Sequence, residues 1–106
     1  MSENIVNSSR IIVVKRDGKK VDFNKAKIAV AIKKGFDSIK LENGENKYTE
    51  KDINIVLNKV LTKIEKENPE KIKIEEIQDM IELALKEEKY EDVYESFSTY
   101  RERRNH

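Results

Sequence analysis

Five cations crowd one short stretch of this chain. Lys15 and Arg16 close an apolar run, Lys19 and Lys20 follow a turn, and Lys27 stands a little further on. Converging fixed positive charges and free backbone N–H groups are what a phosphate needs. A helix beginning near Asn24 would add its partial positive end. The chemistry this stretch can perform is therefore the capture of a polyanion. A lysine-rich hairpin tip also serves solubility and blunts a sheet edge, so charge pattern alone leaves both roles open.

Other chemistries lack their residues. There is no cysteine, and the single histidine is His106. Thiol chemistry and Cys-zinc sites are excluded, and one terminal histidine argues against a histidine-based triad or a His-metal cluster. Gly18, Gly35 and Gly44 are isolated, so no phosphate-loop motif is present. Glu75, Glu76, Asp79 and Glu82 form an acidic run that reads as a solvated helix face rather than a metal site. Tyr90, Tyr94, Phe97 and Tyr100 fall at helical spacing and read as packing, with base stacking as the sharper alternative.

The elements that must position these residues follow from periodicity. Ile11 to Val14 are apolar and mostly β-branched, Asp17-Gly18 marks a hairpin turn, and Val21 to Phe23 form the return strand. Asn24 caps a first helix of about 24–36 carrying Ile28, Ala29, Ile32 and Phe36, ended near Gly35. Thr49 and Asp52 resemble a capping box for a second helix with Ile53, Val56, Leu57, Val60, Leu61 and Ile64 on one stripe. Asn68-Pro69 stops it. Ile72 and Ile74 alternate with lysines as a short third strand. A third helix over about 75–87 carries Ile77, Met80, Ile81, Ala84 and Leu85. A fourth starts near Glu91, places Val93, Phe97 and Tyr100 on one face, and ends in Arg101, Arg103 and Arg104. Four amphipathic helices must bury their stripes together, with the small sheet covering the bundle.

Composition agrees. The 106 residues suit one domain, and 41% of them are charged against 37% hydrophobic. Net charge is +1, so any anion site is a local cluster and nucleic acid is disfavoured as a partner. No apolar run approaches the roughly 20 residues of a membrane span, and a cytoplasmic location is expected. Residues 1–10 read as a flexible leader and residues 11–104 as the folded domain.

The strand–Lys15-Arg16-Asp17-Gly18–strand–Phe23-Asn24-x-x-Lys27-Ile28 pattern resembles the opening signature of the ATP-cone family. Ile74-Glu75-Glu76-Ile77-Gln78-Asp79-Met80-Ile81-Glu82 is similar to that family's third helix. Tyr90-x-x-Val93 and Ser98-x-Tyr100-Arg101-x-Arg103 are similar to its fourth. The resemblance covers about residues 11–104. It implies an α+β fold, a four-helix bundle capped by a small three-stranded sheet, with ATP or dATP bound beneath the hairpin and Mg2+ on the phosphates. By position it implies that Val14, Lys15 and Arg16 line the pocket from the first strand, with Asn24 and Lys27 completing it. Lys15, Arg16 and Lys27 would meet phosphates. Thr49 is carried over with an equal claim to be only an N-cap. Arg101 and Arg103 are carried over as phosphate ligands, with the alternative that they end an exposed helix. The chain departs from the pattern at Val21, where some members carry a carboxylate.

The resemblance further implies a regulatory module without catalysis of its own, joined to the catalytic domain of a ribonucleotide reductase. The anaerobic triphosphate reductase is the expected parent, and Met1 ten residues before the first strand suits an N-terminal position. Homo-oligomer formation is left open. One alternative is the cone of a transcriptional repressor of reductase genes, whose relatives carry a cysteine-rich zinc ribbon that this chain lacks. The other is a small helical nucleic-acid or protein interaction domain.

Overall fold

Three β-branched residues make the first strand, β1 (Ile12–Val14), and its partner β2 (Lys20–Asp22) returns antiparallel with Val13 opposite Val21. The structure is a computed structural model, and it describes residues 11–104. The leader expected over residues 1–10 lies outside the described residues. The hairpin turn forms where Asp17-Gly18 predicts it. Gly18 N–H donates to the Lys15 carbonyl at 2.9 Å, and Lys15 N–H donates to Lys19 O at 2.8 Å. Gly18 sits at φ +87°, a conformation that costs a residue without Cβ little. Asp17 Oδ1 accepts the Lys19 N–H at 3.0 Å and fixes the tip.

A third strand, β3 (Lys71–Lys73), adds to the other edge of β1 in parallel, with Val13 opposite Ile72. The sheet order is β2-β1-β3. A parallel pair needs a long crossover, and two helices supply it: α1 (Lys25–Asp37) and α2 (Glu50–Glu67). Helices α3 (Ile74–Glu87) and α4 (Glu91–Arg104) complete the bundle. Val13 and Ile72 turn inward from the sheet and are buried. The helical stripes meet them: Ile28, Ile32 and Phe36 from α1, Val56, Val60 and Ile64 from α2, Ile77, Ile81, Ala84 and Leu85 from α3, Val93 and Phe97 from α4. The fold is the expected α+β arrangement of four helices under a small three-stranded sheet.

Caps set the helix boundaries. Asn24 Oδ1 accepts the Ala26 N–H at 2.9 Å and opens α1. Asp52 reaches back to the Thr49 N–H at 3.0 Å and opens α2. Asn68, left-handed at φ 42°, closes α2. Gly35 behaves differently from its sequence reading. The helix does not end there but runs on to Asp37, with Gly35 buried inside it. A Cβ on Gly35 would lie 3.5 Å from Val93 Cγ1 and 3.8 Å from Phe97, so α4 packs against bare backbone. Ser38 Oγ and Ser96 Oγ, 2.6 Å apart, tie the same end of the two helices.

The start of α2 and the start of α4 are clasped by aromatic and acidic groups. Phe36, Tyr48 and Tyr90 meet edge to face with centroids 5.1–5.3 Å apart. Tyr90 OH donates to Asp52 Oδ1 at 2.8 Å, and Tyr48 OH donates to Asp92 Oδ1 at 2.9 Å. The Thr49 N–H, then Tyr90, hold the Asp52 carboxyl below its ordinary value. Burial pulls Asp92 upward, but Lys47, Tyr48 and the Val93 N–H outweigh it and leave that carboxyl low as well. Burial, then the Asp52 carboxylate, pushes the Tyr90 phenol up to about 12.

Two outcomes follow for stability. Both carboxyls are depressed in the folded state, so their contribution is complete above the ordinary carboxylate pKa and is lost as pH falls through the lower folded values. Asp52→Asn is expected to cost about 1 kcal/mol at neutral pH and to flatten the acid limb of a Tm-against-pH profile; an unchanged acid limb contradicts the clasp. Gly35→Ala is expected to stabilise by ~0.5–1 kcal/mol, because a helical glycine is replaced where the added methyl meets only ordinary contact distances. Gly35→Leu should overpack the α1–α4 contact and lower Tm; chemical denaturation of both variants gives the signs.

Candidate functional site

From the Gly35 contact α1 and α4 run toward the hairpin, and between them opens a cavity of about 640 Å³. That volume is ordinary for a small-molecule pocket. The hairpin tip supplies one rim with Lys15, Arg16 and Asp17. Helix α1 supplies Lys27, Ala31 and Lys34, a single face on successive turns. Ile28, Ile77, Ile81 and Phe97, all buried, form an apolar floor shared with the core. Val30 and Tyr100 stand beside the opening, 51% and 49% exposed. Tyr100 is thus a wall of the cavity, not the core residue that helical spacing suggests.

Five cations and one carboxylate line this space in a chain whose net charge is only +1. The concentration is local, as an anion site requires. The cations divide into two kinds. Lys15, Lys27 and Lys34 have no carboxylate within ion-pair distance among the described residues. Arg16 and Arg101 are engaged by α3. Arg16 Nε donates to Glu75 Oε2 at 3.3 Å. The Arg101 guanidinium reaches Asp79 at 2.7 Å, Glu82 at 3.3 Å and the Glu75 carbonyl at 3.3 Å. Burial pulls the Arg101 guanidinium down, but Asp79 and Glu82 outweigh it and hold it above its ordinary value. The acidic run of α3 is therefore not simply a solvated face: Glu75, Asp79 and Glu82 anchor the two arginines.

One group in the wall is incomplete. Gln78 lines the cavity from α3, and its Oε1 is buried with no hydrogen-bond donor among the described residues. Buried acceptors are nearly always satisfied, and an orphan inside a cavity marks a side chain with work for a ligand.

A family model for the ATP cone domain matches residues 11–106. The chain belongs to the ATP-cone family. It is 42% identical over 98 residues to the vitamin B12-dependent ribonucleoside-diphosphate reductase of Thermoplasma acidophilum, a match covering 87% of this chain and 12% of that protein. It is 38% identical over 101 residues to the ribonucleoside-diphosphate reductase subunit alpha of Chlamydia pneumoniae, covering 92% of this chain and 10% of that protein. The cone thus spans about a tenth of the length of these relatives, and it corresponds to a regulatory part of such a reductase rather than to its catalytic body. No helix among the described residues is long and apolar enough to cross a membrane.

Of the residues singled out in the sequence, Lys15, Arg16, Lys27 and Arg101 come together on the cavity of the cone. Val14, Asn24, Thr49 and Arg103 do not line it. Val14 is half-buried in β1 beside the rim, and Asn24 spends its side chain on the α1 cap. Arg103 is exposed beyond the last cavity residue of α4. Thr49 lies at the other end of the bundle: its helix start is tied to Tyr90 through Asp52, and Arg101 is about 16 Å further along α4 at the rise of an α-helix. Ile74 and Gln78 were not read as site residues, and Tyr100 entered only through the base-stacking alternative. Gln78 carried a signal, being an uncharged polar residue flanked by Ile77 and Ile81 on an otherwise apolar stripe.

Gln78→Met keeps the side-chain volume and removes the orphaned acceptor. It is expected to raise Tm, by the equivalent of ~1 kcal/mol, since an unsatisfied buried polar group is costly. A fall in Tm would show that the carboxamide oxygen is already satisfied in solution.

Proposed function

We propose that the cone binds ATP or dATP in the cavity under its hairpin, and that occupancy biases the quaternary state of a ribonucleotide reductase to which it is joined. The observation that carries this is the polarity of one cavity. Lys15 and Lys27 present uncommitted ammonium groups at the hairpin end, while Ile28, Ile77, Ile81 and Phe97 offer an apolar floor with the Gln78 oxygen among them. A triphosphate fits the first and a purine ring the second. Gln78 can accept a hydrogen bond from an exocyclic amine, the recognition that carboxamides make with adenine.

In this reading Lys15, Lys27 and Arg16 bind the phosphates, with Mg2+ arriving on the nucleotide. Lys34, two turns beyond Lys27 on the same face of α1, extends the positive rim. No group of three potential metal-ligating side chains occurs among the described residues. The ligand acts by preferring one arrangement of the larger protein over another, a coupling of ~1–3 kcal/mol. The anaerobic parent class is the finer reading, and the sequence resemblance alone supports it, since the relatives matched are diphosphate reductases.

Calorimetry of the chain with ATP, dATP and GTP tests the reading. Adenine nucleotides are expected to bind in the micromolar range, and Lys15→Ala or Lys27→Ala to weaken them about tenfold each, the scale of one charge-assisted hydrogen bond. If neither ATP nor dATP binds the intact chain at millimolar concentration, the proposal is wrong.

A further inference from the structure

The two arginines of the cavity meet the carboxylates of α3 unequally. Arg101 is gripped by three acceptors and is mostly buried, its side chain 17% exposed. Its contact with Asp79 is 2.7 Å, the length of a strong charge-assisted bond. Arg16 instead touches Glu75 through Nε at 3.3 Å, with the two side chains 35% and 37% exposed. That is long for such a pair, and partly solvated pairs are weak. Arg16 also sits on the hairpin tip, outside both strands of the ribbon. A phosphate arriving between Lys15 and Lys27 would therefore meet, in the Arg16–Glu75 contact, the weaker of the two arginine–carboxylate pairs on this wall.

We propose that Glu75 is a built-in competitor for the phosphate end of the ligand. At rest its carboxylate occupies Arg16 and ties the hairpin tip to the first turn of α3. A bound polyphosphate takes Arg16 over and releases Glu75. This rests on the nucleotide reading above and adds to it the residue that sets the affinity of the site. Two consequences are built into the geometry. Competition acts on the phosphates alone, so it lowers affinity for any polyphosphate and leaves a nucleoside untouched. It also links occupancy to the hold of the hairpin on α3, because the same guanidinium cannot serve both anions fully.

The experiment is calorimetry of the chain carrying Glu75→Gln, with ATP, inorganic tripolyphosphate and adenosine as probes. ATP and tripolyphosphate are expected to bind about fivefold more tightly than to the unaltered chain, the scale of one partly exposed ion pair, and adenosine to be unchanged. Glu76→Gln removes the same charge from the neighbouring position, where the side chain accepts the Lys73 N–H; its gain should be smaller. In an Arg16→Ala background the Glu75→Gln gain should vanish, because the pair no longer exists to be broken. A gain that persists without Arg16 reports simple charge repulsion and overturns the competitor role, as does an affinity that is unchanged or weaker in Glu75→Gln. Glu75→Asp shortens the carboxylate while keeping the helix-start charge, and it decides the matter by the same criterion if the Gln variant does not fold. An unaltered chain that binds neither ATP nor tripolyphosphate sinks the nucleotide reading itself.

Discussion

Helices α1 and α4 touch where Gly35 has no side chain, and from that contact the space between them widens toward the hairpin. The cavity is a consequence of this wedge. At one end the backbone of α1 meets Val93 and Phe97, and the serine pair holds the ends together. Toward the other end Lys27 and Ala31 of α1 and Tyr100 and Arg101 of α4 line the cavity. The apolar floor is the top layer of the core and is itself buried, while Val30 and Tyr100 at the opening leave apolar surface in water, which is costly. A ligand with a flat apolar ring would recover part of that cost by covering Val30 and Tyr100. Helix α2 contributes nothing to the lining; Val56, Val60 and Ile64 are sealed against the other helices, and α2 serves as the buttress.

The bundle was legible because its signals are local. Stripes at helical spacing in α2 and α3, the Asn24 and Thr49-Asp52 caps and the Asn68-Pro69 stop each act within a few residues, and all agree on one architecture. Gly35 was misread for the same reason. A glycine late in a helix looks like a terminator, and only the arrival of α4, some sixty residues later in the chain, shows that it is an approach point. Tyr100 was misread as core because periodicity assigns a face but not what covers that face. The third strand was visible as alternation, whereas its parallel pairing with β1 depends on the length of the crossover and on where the sheet needs an edge.

The candidate site was half legible. Lys15, Arg16 and Lys27 lie within one short stretch, so their convergence could be read from spacing. The α3 wall could not, because Gln78 and Ile74 come to the cavity only through the parallel pairing that sets β3, and hence the start of α3, beside the hairpin. The carboxylates of α3 were read as a solvated face since each is exposed in a helix considered alone. Their ion pairs with Arg16 and Arg101 span long separations in sequence, and no local pattern announces them.

These long-range pairs bear on how so small a domain can report occupancy. The hairpin strands are three residues each, and a short two-stranded ribbon is marginal unless something holds it. What holds its tip to the bundle includes the Arg16–Glu75 contact. The cations that suit a phosphate stand on that same tip and on the start of α1. In the proposed reading, ligand and bundle draw on overlapping groups, so a change at the phosphate end would be felt where the hairpin rests on α3. By linkage that dependence would be mutual: whatever a neighbouring domain did to the hold of the hairpin on α3 would return as a change in nucleotide affinity of the same size. A rigid pocket with dedicated cations would bind as well and signal nothing, and the engagement of Arg16 by a carboxylate is what separates this cavity from such a pocket.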